Sequence, residues 1–179
     1  MKYIAASFLL LAGPAAGEVR DSSPAHFHVE QSALIPLPPA AAYALLLQPS
    51  RWWNSAHTYS GDARNLSLDP AGRGCFCERL PDGGSVEHMR VIYAQPGKLL
   101  RLSGGLGPLQ AAAVAGTLTW TLKPEGQGTR VTQTYLVAGH ILGGGADKLA
   151  SPVDRVLAEQ LGRLAAAAAG GDQGAQARD

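Results

Sequence analysis

One strand, a short helical stretch, five further strand-like segments with no helix between them, and a single long amphipathic helix: this order constrains the chain more than any single motif. Neighbouring parallel strands need a crossover, usually a helix, between them, so a chain without β-α-β alternation is confined to an antiparallel sheet with its helices kept apart. The first strand is read from strict alternation between His26 and Leu37. Phe27, Val29, Ala33, Ile35 and Leu37 fall on one face, and His28, Glu30 and Ser32 on the other. Pro36, Pro38 and Pro39 end it, because proline has no N–H to give a ladder. Ala40–Leu47 follows as an apolar helical run that a leading proline tolerates, Pro49-Ser50 breaks it, and Arg51–Asn54 reads as a second helical turn.

Two hairpins dominate the middle. Cys75–Leu80 and Ser85–Tyr93 flank Pro81-Asp82-Gly83-Gly84, and a loop of either two or four residues predicts Cys77 opposite His88 and Arg79 opposite Val86. After Leu99–Leu102 comes a glycine-rich stretch, Gly104 to Leu109, read either as a lid or as a plain connection. Thr117–Leu122 and Thr129–Gly139 form the second hairpin. Matching their apolar faces places Leu122 opposite Thr129 and Trp120 opposite Val131, since a slip of one residue would turn every side chain to the other face. Gly143-Gly144-Gly145 ends the sheet. Ser151 as cap, Pro152 in the first position and Asp154 in the first turn predict a helix start there. Val153, Val156, Leu157, Leu161, Leu164 and Ala168 then form one apolar stripe. Each large member buried contributes about 1.5–3 kcal/mol, enough to hold the helix on a sheet.

The beginning of the chain is a different kind of segment. Met1-Lys2, an apolar stretch from Tyr3 to Ala12 and the small residues Gly13 to Gly17 have the three-part order of a secretory signal, with an apolar core too short for a bilayer anchor. The mature chain is expected to start between Ala16 and Glu18 and to be periplasmic or secreted; the alternative is an uncleaved helix. Residues 18–25 read as a linker, 26–168 as one domain and 169–179 as a polar, frayed tail. No later segment reaches membrane-spanning length. Loss of residues 1–17 removes Lys2 and no acid, leaving 14 basic against 14 acidic residues, and no run of Lys or Arg exists. A nucleic-acid partner is therefore excluded.

The order of these segments, with Ile35-Pro36-Leu37-Pro38-Pro39-Ala40, Trp52-Trp53, Gly74-Cys75-Phe76-Cys77-Glu78, Pro96-Gly97-Lys98-Leu99-Leu100, Gly128-Thr129-Arg130-Val131-Thr132 and the closing helix, resembles the SRPBCC (START-like, helix-grip) superfamily over residues 26–168. It is most similar to the bacterial groups of heat-shock ATPase-activator homologues and polyketide cyclases. The resemblance implies an α+β helix-grip fold: about seven antiparallel strands curved around the C-terminal helix, two short helices after the first strand, and a cavity between sheet and helices. It implies a small apolar ligand, lipid or polyketide-like, and no cofactor. Catalytic residues are not shared across the superfamily, so none is carried over.

The residues expected near such a cavity are Trp53, His57, Cys77, His88 and Trp120. Consecutive helical residues lie about 100° apart, so only one of Trp52 and Trp53 is expected to face inward. His57 sits in a polar loop beside them. Cys75 and Cys77 share a strand face that the predicted register also gives to His88, leaving three alternatives: buried thiols, a disulfide between near neighbours, or part of a metal site short of its four ligands. Buried thiols lead, and no metal is assigned. His26 and His28 read as a solvated face. A cyclase- or hydrolase-type enzyme using His57, His88 or Glu78 for acid–base work, and a protein-interaction domain, are the competing readings.

Overall fold

The computed structural model describes residues 16–141 and 143–172, so the expected signal up to Ala15 and the last seven residues lie outside it. Eight strands form one antiparallel sheet: β1 (Ala16–Ser23), β2 (His26–Ile35), β3 (Leu66–Leu68), β4 (Cys75–Arg79), β5 (Ser85–Gln95), β6 (Leu99–Ser103), β7 (Ala113–Glu125) and β8 (Gly128–His140). Their spatial order is β1-β2-β8-β7-β6-β5-β4-β3. Helix α1 (Pro39–Leu46) follows β2, three 3-10 turns lead to β3, and helix α2 (Asp147–Asp172) closes the chain against β2 and β1. This is the helix-grip architecture, with one strand more than expected.

The extra strand is β1. Residues 18–23, read as linker, pair with β2 through Glu18↔Glu30 and Val19↔Val29, and Arg20 bridges Glu18 and Glu30 on the outer face. The alternation that predicted β2 is realised almost without exception: every second residue from Phe27 to Ile35 is buried. Gln31 is one of these. It donates to Asp154 of α2 at 2.7 Å and accepts from Gln133 at 3.1 Å, while Gln133 accepts from the Trp120 indole at 2.6 Å. A chain of satisfied polar groups thus ties the sheet to the helix through an otherwise apolar core.

Both hairpin registers differ from expectation, for different reasons. Between β4 and β5 the loop has three residues, Pro81-Asp82-Gly83, closed by Leu80 and Gly84; Gly83 takes the left-handed conformation that such a loop needs. An odd loop moves the pairing by one, so Cys77 faces Glu87 and Arg79 faces Ser85. A bulge at His88 then restores the apolar face, with Phe76 opposite Met89 and both His88 and Met89 buried. Between β7 and β8 the loop is the pair Gly126-Gln127, which places Leu122 opposite Val131 and Trp120 opposite Gln133. That is a shift of two, so the predicted faces hold although the predicted partners do not.

Helix α2 also starts earlier than Ser151. Its first turn begins at Asp147, anchored by buried Ala146 and Ala150, and Pro152 lies inside it. A proline so near the start removes the N–H that would reach the Lys148 carbonyl but leaves the rest of the ladder intact. The helix continues through Gly170 to Asp172, beyond the expected start of the tail.

Candidate functional site

A cavity of about 550 Å³ opens between the sheet and α2, within the range of small-molecule sites. Its α2 wall is the start of the predicted stripe, Val153, Val156 and Leu157, together with Leu149 and Pro152. Its opposite wall is Phe76 of β4 and His88 of β5. Two segments built on 3-10 turns frame the mouth: residues 56–59, which leave the turn Ser55–His57, with Trp53 on one side, and the glycine-rich stretch from Leu106 to Leu109, which enters the turn Gly107–Ala111, on the other.

The tryptophans are positioned by the end of a helical turn. The 3-10 turn Pro49–Arg51 stops at Trp52, whose backbone is no longer helical, so the helical 100° spacing no longer applies; the Trp52 and Trp53 ring centroids lie 5.5 Å apart and both residues are buried. This corrects the expectation that only one could face inward. Trp52 donates to the Leu45 carbonyl of α1 at 3.1 Å, and Trp53 donates to the His57 carbonyl at 3.0 Å. Three side chains of α2 hold the same segment. Arg163 donates to the Trp52 carbonyl at 2.9 Å, Gln160 accepts the Asn54 amide at 2.7 Å, and Glu159 meets Asn54 at 2.5 Å and His57 at 3.3 Å. The ring centroids of Trp53 and Phe76 lie 5.3 Å apart, those of Phe76 and His88 5.0 Å, and those of His88 and Tyr59 5.8 Å, so aromatic surface runs unbroken along this wall.

The glycine loop is fastened at its start. The Tyr135 hydroxyl accepts from the Leu106 amide and donates to the Gly104 carbonyl, both at 3.0 Å. Burial pushes that phenol up to about 12, so it stays protonated and keeps donating. Gly116 is required beside it: an added Cβ would lie 2.1 Å from the Gly104 carbonyl oxygen and 2.8 Å from the Tyr135 hydroxyl. At the mouth, the Tyr59 hydroxyl donates to the Gly107 carbonyl at 3.0 Å, joining the two framing segments.

Beneath the apolar lining lies a buried pair. The His88 Nε2 atom is 2.9 Å from Glu78 Oε2, and the two side chains are 6% and 0% exposed. Glu78 also accepts the Tyr59 amide at 3.1 Å and the Ser60 amide at 2.5 Å. Burial by itself would raise the Glu78 carboxyl, but hydrogen bonds from Ser60, Tyr59 and His88 outweigh it and hold the group below its usual range. For His88, burial drives the imidazole below its ordinary value against the pull of Glu78. The pair is therefore an ionised carboxylate accepting from a neutral imidazole.

Of the five expected residues, the structure brings Trp53, His57 and His88 to the cavity and leaves two away from it. Cys77 points to the outer face, where a disulfide joins it to Cys75 across a Cα separation of 5.4 Å. The leading expectation of buried thiols is thereby corrected, and the Cys–Cys–His grouping is not formed, because the three-residue loop turns both cysteines away from His88. Trp120 is a fully packed core residue whose indole is taken up by Gln133. Among the described residues no three metal-ligating side chains gather in one place. His26 is engaged by Asp21 and Ser23 on the outer surface. Phe76 and Tyr59 were missed, and the glycine-rich loop that carries Leu106 and Leu109 was left open between a lid and a plain connection. Alternation counted from Glu78 inward would have found Phe76, whereas nothing local marks Tyr59.

A curved antiparallel sheet gripping a long helix over an apolar cavity defines the class: an SRPBCC-type helix-grip domain. The family described as polyketide cyclase/dehydrase and lipid transport matches residues 26–169, and the chain belongs to it. No curated protein matches the sequence. Among solved structures, an uncharacterised protein from Rhizobium leguminosarum is 19% identical, with 86% of this chain and 97% of that one covered and a TM-score of 0.58. CalU16 from Micromonospora echinospora is 13% identical, with 86% and 84% covered and a TM-score of 0.55. The di-domain ARO/CYC StfQ from the steffimycin biosynthetic pathway is 14% identical, with 84% and 53% covered and a TM-score of 0.56, so this chain spans about half of that protein. At these identities the likeness is one of fold.

Proposed function

We propose that the mature chain is exported and binds a small, mainly apolar molecule, lipid or polyketide-like, between the sheet and α2. The observation that carries this reading is the 550 Å³ cavity, lined mainly by apolar and aromatic side chains and backed by the buried His88–Glu78 pair. Membership of a family described by both cyclase and lipid-transport activities supports it without choosing between them. A cyclase- or hydrolase-type enzyme is the second reading, favoured by one feature: His88 is oriented by Glu78 as a general base would be.

The test is a titration with fatty acids, sterols and fused-ring aromatics, read by tryptophan emission and by melting temperature. Trp53 lies in the cavity wall, so occupation changes its surroundings. A ligand at a hundredfold excess over its dissociation constant stabilises the fold by about 2.7 kcal/mol. A panel that produced neither an emission change nor a higher melting temperature would give the lead to the protein-interaction reading.

A further inference from the structure

The chemistry of the buried polar group on the cavity wall narrows its ligand further. An ionised carboxylate has acceptors only, so the hydrogen between Glu78 and His88 sits on His88 Nε2. A neutral imidazole protonated there presents Nδ1 as a bare acceptor. That atom makes no hydrogen bond to the described residues. His88 belongs to the cavity lining, and among the described residues the fully buried polar side-chain atoms left without a partner are His28 Nε2, Tyr43 Oη and Gln160 Nε2 and not His88 Nδ1, so this nitrogen is the atom of His88 left for a ligand. Of the other polar side chains on the lining, His57 is 35% exposed and turns its Nε2 to Glu159 at 3.3 Å, the Tyr59 hydroxyl donates to Gly107, and the Thr58 hydroxyl donates to the Ser55 carbonyl at 2.8 Å.

Resting on the small-molecule reading of this cavity, we infer that its ligand is an apolar body carrying a hydroxyl, an alcohol or a phenol, which donates to His88 Nδ1. A ketone, ether or ester oxygen offers no hydrogen to that nitrogen. A carboxylate would set acceptor against acceptor and bring a second negative charge next to buried Glu78. Such a site discriminates through what it leaves unpaired, because a buried polar group without its partner loses the hydration it had in water.

Calorimetric titrations of the mature protein with 2-naphthol, 2-methoxynaphthalene and 2-naphthoate at neutral pH test this. The expected result is naphthol binding at least about tenfold more tightly than its methyl ether, with naphthoate weakest of the three. In His88→Phe, which keeps an aromatic ring but has no acceptor, the gap between naphthol and ether should shrink to within about twofold. Should that variant fail to fold, the nitrogen spectrum of histidine-labelled wild-type protein gives the same answer: His88 is expected as the Nε2–H tautomer, and an Nδ1–H tautomer would overturn the inference. Ether binding as tightly as naphthol, or an unchanged gap in His88→Phe, also overturns it while leaving the small-molecule reading in place. If none of the three binds, both fall.

Discussion

Glu78 satisfies three donors at once, the amides of Tyr59 and Ser60 and the imidazole of His88, with its own carboxylate side chain fully buried. Glu78→Ala leaves those donors buried without an acceptor, and a loss of about 3 kcal/mol in urea denaturation is expected; a loss below about 1 kcal/mol would mean that the wall is wet. The same two residues set the response to acid. His88 has a folded pKa below its unfolded value, so the unfolded chain takes up the proton first and stability begins to fall as pH drops below about 6.5. Glu78 is also depressed, and its contribution is present above the ordinary carboxylate value and lost as pH falls through its folded one. Both signs agree: melting temperature should decline on acidification, in an earlier phase that His88→Phe removes and a later one that it leaves. Residue types were readable here, since His57, His88 and Glu78 could all be picked out as candidate acid–base groups. Their pairing was not, because it depends on whether a loop holds an odd or an even number of residues. Pro81-Asp82-Gly83-Gly84 contains turn signals for both.

Among the elements, those defined by periodicity were legible and those defined by packing were not. The alternation of β2 and the α2 stripe needed only the side-chain pattern. The first turn of α2 was hidden by Ser151-Pro152, a strong local start signal overridden by the burial of Ala146 and Ala150. The strand β1 was hidden because its polar residues lie on an edge, where pairing with β2 rather than burial holds it. The glycine loop was the most ambiguous element, and the structure makes it part of the cavity's frame. Gly116→Ala is expected to cost about 2 kcal/mol or more, since the Gly104 carbonyl and the Tyr135 hydroxyl that its Cβ would strike are both fixed. Tyr59→Phe breaks an exposed hydrogen bond at the mouth, so stability should change by less than about 1 kcal/mol. Release of a bound apolar probe, followed by stopped-flow fluorescence, should become several-fold faster; an unchanged rate would show that the mouth is not closed at that point.

At the scale of the molecule, two proposals can be checked separately. Export predicts an oxidising destination, in which Cys75 and Cys77 are joined as they are in the structure. Protein isolated from the periplasm without reductant should show no thiol in a denaturing titration and two after reduction; two free thiols at the outset would contradict it. The central proposal is that the space between the sheet and α2 is where a ligand sits, and filling that space tests it most directly. Val156 is half-buried on the cavity wall, and Val156→Trp would occupy much of the volume with apolar surface. Naphthol affinity of this variant, measured beside its melting temperature, is expected to fall at least about tenfold while the fold keeps or gains stability, because the new side chain takes the ligand's place in an apolar site. Undiminished affinity in a folded Val156→Trp protein would place the ligand elsewhere and contradict the account.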